Sequence, residues 1–516
     1  MAFIVEQKIK GRIYLYNVES YWDKEKKQSR QKRTYIGPKN RKTKQKSNLR
    51  SSDFISKNFG NVYLLGILAD RLGLTDILKT AFPKDYLEIL SLAYYEISDA
   101  SPLFLFHYWL EEQNLPEVKK LHSSGISELC DRLGRSEKQR TSVTCDWIEQ
   151  LKPIKAVFYD ITSISSYSTG VEFVEWGYNR DKEKLPQINM GVAFCQNSSL
   201  PMFYNIYPGS IVDVTTLRNC MKYLDIYNLK EVLFILDRGF FSKANILEMN
   251  NRNNKIKFIQ PLPFSLKKYK DLIKRNKKKL SNPANAFKFN EEILFHFSEK
   301  IEFDGNDFDG HLFFNEKSEV DQRHHFLSSI LEVEKKITNK SLGSLKEYIE
   351  YKKSNIPEKY SGYFKWTRAS GKIERNVRNI NAYISRMGTF LMLTNQENLS
   401  CEEVLSHYRQ RDKVEKVFDV SKNEMDGNRL RAHDQYRVNG RLFIKFIALI
   451  IHSEISKTMK EKKLFEKFSV KEVLAELKKI KFTKIGKAEP FLSEISKKQK
   501  NILEAFGANE EISHSY

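Results

Sequence analysis

Apolar residues change their spacing several times along the chain, and each change predicts a different element. Arg12 to Tyr16 ("RIYLY") alternates apolar and polar, the period of a strand in a small β-hairpin unit. From Gly60 the spacing turns helical: "GNVYLLGILADRLGLTDILKTAF" ends at a proline, and "YLEILSLAYYEISD" follows. Near residue 153 the pattern becomes short apolar runs closed by polar residues. "KAVFYDITS" predicts a strand ending at Asp160, with "INMGVAF" and "MFYNIYPGS" as the next two strands in antiparallel continuation. "EVLFILDRGFFS" predicts a buried strand, Val232 to Leu236, ending at Asp237, with Ser242 capping a helix after it.

A long interruption follows. It holds a basic run, "KKYKDLIKRNKKKL", and β-like pieces with Asp-Gly turns, "IEFDGNDFDGHLFF". A calcium loop there fails, because the glycine at loop position six, Gly310, puts Gly305 where the first ligand must be. Hairpin turns explain it better. His324 and His325 have no partner His or Cys at ligand spacing and read as ordinary polar residues. The strand "GTFLMLTN" then leads through "SCEEV" into a helix around Tyr408. "LFIKFIALII" is ten residues with Lys445 inside, a core helix rather than a membrane span. These shifts divide the chain into residues 1–50, a basic β-hairpin arm; 51–150, a helical domain; 151–254 and 386–460, two parts of an α/β domain; 255–385, a largely β insertion; and 461–516, a C-terminal helical region.

Composition narrows the partner. Lys and Arg total 87 against 65 acids among 516 residues, a net charge of +22, which argues for a polyanionic partner, of which nucleic acid is the commonest. From Lys24 to Arg50 there are twelve Lys or Arg and one acid, Glu25, so the N-terminal arm is expected to touch DNA. A hydrophobic content of 41% excludes a wholly disordered chain. The N-terminus turns charged at once after "AFIV", without the apolar core of a secretory signal. Five scattered cysteines (Cys130, Cys145, Cys195, Cys220, Cys401) lack CxxC pairing, which argues against disulfides and zinc and for a reducing, cytoplasmic setting.

The helix "YRQRDKVEKVFDVSK" (408–422) carries the candidate chemistry. Val414, Val417, Phe418 and Val420 cluster on one side. With Tyr408 at 0°, Arg411 falls near about −60°, Glu415 near about −20° and Lys422 near about −40°. A hydroxyl, a guanidinium, a carboxylate and an ammonium thus line one stripe. A solvated face also carries mixed charge, so the stripe gains meaning only from partners elsewhere. Asp160 and Asp237 supply them. Phosphodiester cleavage needs a strong nucleophile and charge neutralisation at both attacking and leaving oxygens, which two Mg²⁺ ions about 4 Å apart provide. Two aspartates on strand ends and a glutamate on an adjacent helix suffice to hold Mg²⁺, for which Mn²⁺ can substitute. Arg411, Lys422 and Tyr408 could then bind the flanking phosphates.

The helix spacing, Tyr-x2-Arg-x3-Glu-x6-Lys, resembles the signature of bacterial insertion-sequence transposases of the DDE type, in the branch with a β-strand insertion inside the catalytic domain. "YDITS" and "LDRGFFS" look like its first and second aspartate motifs, and "GYNRDKEKLPQINMGVAF" and "YPGSIVD" like the linking segments. The interval from Asp237 to Glu415 is more than twice that from Asp160 to Asp237, room for the family's insertion. The resemblance spans residues from about 5 to 455. It implies an RNase H-like catalytic domain, with Asp160, Asp237 and Glu415 as the catalytic triad that binds two Mg²⁺ ions. It implies that Tyr408, Arg411 and Lys422 contact the DNA backbone near the cleaved end. Where the family carries a tryptophan that stacks on a flipped base, this chain has Phe390, which can still stack. The implied function is binding the ends of an insertion sequence as a homodimer on DNA, cleaving them, and joining the 3′ ends to target DNA. A metal-dependent nuclease without strand transfer, or a non-catalytic DNA-binding derivative, are the alternatives.

Overall fold

The computed structural model describes residues 2–10, 12–39, 54–116, 118–119, 121–179, 183–229, 231–251, 256–276, 278–337, 342–411, 429–430 and 432–509. Two compact units are distinct: Met1–Ser56 with Thr483–Phe491, and Lys57–Phe482 with Leu492–Tyr516.

In the first unit, β1 (Ala2–Ile9), β2 (Arg12–Asp23) and β3 (Gln28–Pro38) form an antiparallel sheet in the order β1-β2-β3. The hairpin expected from the alternation around Arg12 to Tyr16 is therefore part of three strands, not two. Strand β4 (Phe54–Asn58) follows.

The second unit begins with six helices: α1 (Gly60–Arg71), α2 (Leu74–Ala81), α3 (Tyr86–Ser98), α4 (Phe106–Glu112), α5 (Ser123–Arg135) and α6 (Glu137–Leu151). Gly73, at φ 71°, breaks the long helical pattern into α1 and α2. The buried residues of these helices join one core with the sheet and with the later helix α14.

The sheet runs through β5 (Ala156–Ser166), β6 (Gln187–Cys195), β7 (Pro201–Pro208), β8 (Leu233–Ile235), β9 (Lys257–Pro261), β10 (Ala286–Phe289), β11 (Glu292–Phe303), β12 (Asn306–Phe314), the short hairpin β13 (Phe364–Thr367) and β14 (Lys372–Arg375) standing apart, then β15 (Thr389–Thr394) and β16 (Arg429–Leu430). Its spatial order is β10-β11-β12-β15-β9-β8-β5-β6-β7, with β16 beside β5. β5-β6 and β6-β7 are antiparallel, whereas β5-β8 and β8-β9 are parallel. The fold class is mixed α/β around one large mixed sheet. The sheet does not stop where the interruption begins near residue 255. β9 continues it as a parallel strand, and β11 and β12 extend it beyond β15.

Alternation sorts the strand residues between two cores. Phe158, Ile235, Ile259 and Met392 face one core, shared with α14 (Gln435–Glu461). Val157, Tyr159, Phe234 and Leu393 face the other, beneath α7 (Asp213–Ile226), α8 (Lys243–Asn251) and α9 (Lys267–Asn276). Ser242 accepts the Asn245 N–H at 3.0 Å, the cap expected for α8. A third, small core lies among α10 (Glu316–Ile337), α11 (Leu345–Asn355) and α12 (Val377–Ile384), so the interruption is not β alone. The Asp304-Gly305 turn closes β11-β12 with both residues at positive φ, a two-residue hairpin turn. Asp309-Gly310 is no turn: it lies inside β12.

Helix α13 covers residues 401–411 as described. In α14, Lys445 and Arg441 both pair with Glu96 of α3, whose side chain is 2% exposed. Among the described residues no helix is long and apolar enough to cross a membrane. The C-terminal region adds α15 (Val470–Leu477), the short strands β17 (Lys481–Ile485) and β18 (Phe491–Leu492), and α16 (Lys497–Ala505).

Candidate active site

Asp160 does not end its strand. It is the fifth residue of the eleven in β5, the half-buried position in an otherwise buried strand. The two neighbours of β5 explain why. On one side the antiparallel ladder with β6 continues from Val157↔Cys195 to Ser165↔Gln187, while β16 pairs with Ser165 and Ser166 from the opposite side. On the other side the parallel ladder with β8 stops at Phe158↔Ile235. Asp160 is thus mid-strand towards β6 and just past the ladder end towards β8.

Asp237 occupies the matching position. It stands two residues beyond Ile235, in extended backbone at φ −84° and ψ 165°, ahead of the turn Arg238–Phe240. Asp160 and Asp237 thus each stand two residues beyond Phe158↔Ile235, the last pair of the β5-β8 ladder. Alternation gives Asp160 the side of Phe158, towards the core shared with α14. The Asp237 carbonyl accepts the Gln260 Nε2–H at 3.2 Å. The Ile161 N–H donates to Asp160 Oδ1 at 2.8 Å.

The same core carries α13. Val404 and Leu405 are fully buried in it, and Cys401 and Tyr408 pack partly buried against it. Positions 401, 404, 405 and 408 are one helical stripe, so Tyr408 lies on the sheet-facing side. One turn on, Arg411 reaches Asp237: its Nη1 forms an ion pair with Asp237 Oδ1. The Arg411 guanidinium also sits 5.3 Å from the centre of the Tyr408 ring. Both flanks of the helix are held. Gln196, in the turn after β6, places its amide 2.9 Å from His407 Nδ1 and donates to Gln410 Oε1 at 2.6 Å. Arg409 pairs with Glu292 of β11 at 3.3 Å. Burial pushes the His407 imidazole down, with the charge of Glu403 opposing.

Phe390 lies in β15 opposite Phe313, its ring stacked on that of Phe313 at 4.9 Å and 12°. It is partly buried against the same core as α13. Ladder pairing gives its height. Ile259 pairs with both Ile235 and Thr394, and Met392 with Pro261, so Phe390 belongs to the Asp237 end of the sheet, two strands over.

Glu415 and Lys422, with Val414, Val417, Phe418 and Val420, lie outside the described residues. Among the described residues no group of three or more His, Cys, Asp or Glu could hold a metal ion. Gln260 escaped the sequence reading although it is fully buried beside Asp237. A lone amide in the apolar run "KFIQP" is the signal that could have found it.

A protein-family model described as "Transposase DDE domain" matches residues 152–451, more than half of the chain. No curated protein matches it. Among solved structures, a cryo-EM synaptic complex of piggyBac transposase with hairpin DNA aligns with a TM-score of 0.34 and 10% identity, over 81% of this chain and 70% of that one.

Proposed function

Because the chain belongs to the family of transposases with a DDE domain, we propose that it binds the ends of an insertion sequence, cleaves them and joins the 3′ ends to target DNA. One observation carries this reading: Asp160 and Asp237 each stand two residues beyond the last pair of the β5-β8 ladder, and Arg411 of α13 pairs with Asp237. The order β7-β6-β5-β8-β9, three antiparallel strands continued by two parallel ones, supports an RNase H-like catalytic domain. Everything between β9 and β15 is then its insertion.

The donor set fits a hard divalent cation. Asp160, Asp237 and Glu415 offer only carboxylate oxygens, and Asp237, with 42% of its side chain exposed, already balances one cation in Arg411. These three residues would hold Mg²⁺ or Mn²⁺, as two ions. When bound, such ions lower the pKa of water and neutralise charge on both oxygens of the displacement. In the first step a water oxygen bonds to phosphorus and the phosphorus–O3′ bond breaks, leaving a 3′-hydroxyl on the element. In the second that hydroxyl bonds to a target phosphorus, and a target 3′-hydroxyl leaves. Arg411, Tyr408 and Lys422 hold the backbone in line for both steps. Phe390 offers a face for a base displaced at the cleaved end. Residues 1–50 and the helices of 51–150 bind the end sequences, the protein acts as a homodimer on DNA, and its setting is the cytoplasm.

The experiment is cleavage and strand transfer on DNA carrying the element's ends, with Mg²⁺ or Mn²⁺. Asp160→Asn and Asp237→Asn should bind DNA and fail to cut. Full cleavage by Asp237→Asn in Mg²⁺ sinks the triad. Cutting without joined product reduces the protein to a nuclease.

A further inference from the structure

We propose that the β2-β3 ribbon is a groove-reading element for duplex DNA, an inference that rests on the reading of the chain as a DNA transposase. β1 covers β2 only as far as Ala2↔Glu19, whereas the β2-β3 ladder continues to Asp23↔Gln28. From Ser20 outward the sheet is therefore two strands wide. Residues Gln28 to Ile36 of β3 are exposed throughout, and so are Glu19 to Trp22 of β2. A two-stranded ribbon in water is marginal by itself, and this one is ordered by its turn. Asp23 Oδ1 accepts the N–H groups of Glu25 and Lys26, each at 3.1 Å, and Asp23 Oδ2 pairs with Arg30 at 3.3 Å. The tip thereby presents Lys24, Lys26 and Lys27 around one acid, Glu25.

The two faces differ in chemistry. Register and alternation set Ser20, Trp22, Ser29, Gln31 and Arg33 on one face. They set Glu19 opposite Lys32, and Tyr21 opposite Arg30, on the other. On that second face the charges balance, with Arg30 held by Asp23. The first face carries a guanidinium, an amide and hydroxyls, the groups that bond guanine, adenine and mixed base edges. The major groove, about 12 Å wide, admits a two-stranded ribbon. With cations at the tip for the phosphates and a hydrogen-bonding face without acids behind them, the ribbon fits that groove better than a protein partner. Its open β3 edge could otherwise pair with a second copy, and the test includes that outcome.

The full-length protein is used to select from a pool of random-sequence duplex DNA, and its affinity for the selected duplex is measured across salt concentrations. Gln31→Ala with Arg33→Ala should erase the preference at a few adjacent base pairs, roughly tenfold at each. Arg33→Lys should lose preference at one pair and keep the salt slope. Lys24→Ala, Lys26→Ala and Lys27→Ala together should weaken all sequences alike and lower the slope of log K against log salt by about two to three. An unchanged preference in the Gln31/Arg33 variant overturns the ribbon alone. So does loss of a protein oligomer, in any of these variants, without DNA present. Failure of the wild type to bind any duplex overturns both this inference and the proposed function. Selection that persists while cleavage ignores Asp160→Asn overturns only the catalytic reading.

Discussion

Arg411 Nη1 and Asp237 Oδ1 form an ion pair in which the arginine side chain is 11% exposed and the aspartate side chain 42%. The guanidinium comes from the sheet-facing side of α13, beyond Tyr408, and the carboxylate from just past the end of β8. One positive charge therefore rests on a carboxylate that the proposed chemistry needs for a metal ion. A metal ion would compete with Arg411 for Asp237 and a phosphate would compete with Asp237 for Arg411, so an arginine drawn to DNA releases Asp237.

Arg411→Ala follows directly. Asp237 is open to water, so losing its partner should leave folding nearly intact. Binding of Mn²⁺ to the DNA-free protein should tighten, because a competing cation is gone. Engagement of the cleaved DNA end should weaken by about 1–3 kcal/mol, the range of a charge-assisted hydrogen bond. Calorimetric titration with Mn²⁺ reads the first effect and equilibrium DNA binding the second. Weaker Mn²⁺ binding would mean that Arg411 orients Asp237 instead of competing for it.

Much of this geometry was legible in the residues, and the remainder depends on neighbours. The apolar run around "KAVFYDITS" predicts a strand ending at Asp160, because period-2 patterning cannot say where each ladder ends. β6 carries the strand to Ser166, while β8 stops opposite Phe158. The Asp304-Gly305 turn was readable because Asp-Gly favours positive φ at both residues. Asp309-Gly310 has the same letters inside a strand, where the tight approach of Ile301 favours a glycine. The pairing of Arg411 with Asp237 joins residues far apart in sequence, and no local rule reports it.

A pH effect should arise at the histidine pair of β11 and β12. His296 and His311 lie with Nε2 and Nδ1 3.1 Å apart. Burial, and then the neighbouring His311, pushes the His296 imidazole down to about 4, with Glu402 opposing. Burial also lowers His311. In the unfolded chain both titrate near about 6.5. The unfolded chain thus takes up protons first, so stability is full above that value and falls as pH drops from about 6.5 to about 4. Thermal melts should show a loss on the order of 1–2 kcal/mol over that window. His296→Leu should flatten it.

Glu96 predicts a larger effect. Its carboxylate, 2% exposed, is shared by Arg441 and Lys445 where α3 meets α14. Removing one partner of a buried ionic group costs about 3–5 kcal/mol, since the remaining charge is left in a poorly solvated site. Glu96→Ala should lower the urea midpoint accordingly without changing cleavage per folded molecule. A midpoint within error of wild type would show that water reaches these cations.

Phe390 supports two readings that one substitution can separate. Its ring stacks on Phe313, a pair worth about 0.5–1.5 kcal/mol beyond its buried area, which is reason enough for an aromatic there. It also belongs to the Asp237 end of the sheet, on the side of α13, where a displaced base could use its face. Phe390→Ala would confuse the two by opening a cavity. Phe390→Leu keeps most of the volume and removes the ring. If the role is packing alone, stability should fall by about 1 kcal/mol and activity per folded molecule should not change. If the ring also receives a base, cleaved-end complexes should lose a further 1–3 kcal/mol or so, the worth of one base–aromatic stack. Phe390→Trp should then restore or exceed wild-type end binding, provided the larger ring fits beside Phe313. Binding by Phe390→Leu equal to that of the wild type, measured on DNA with a pre-cleaved end, would leave Phe390 as a core residue only.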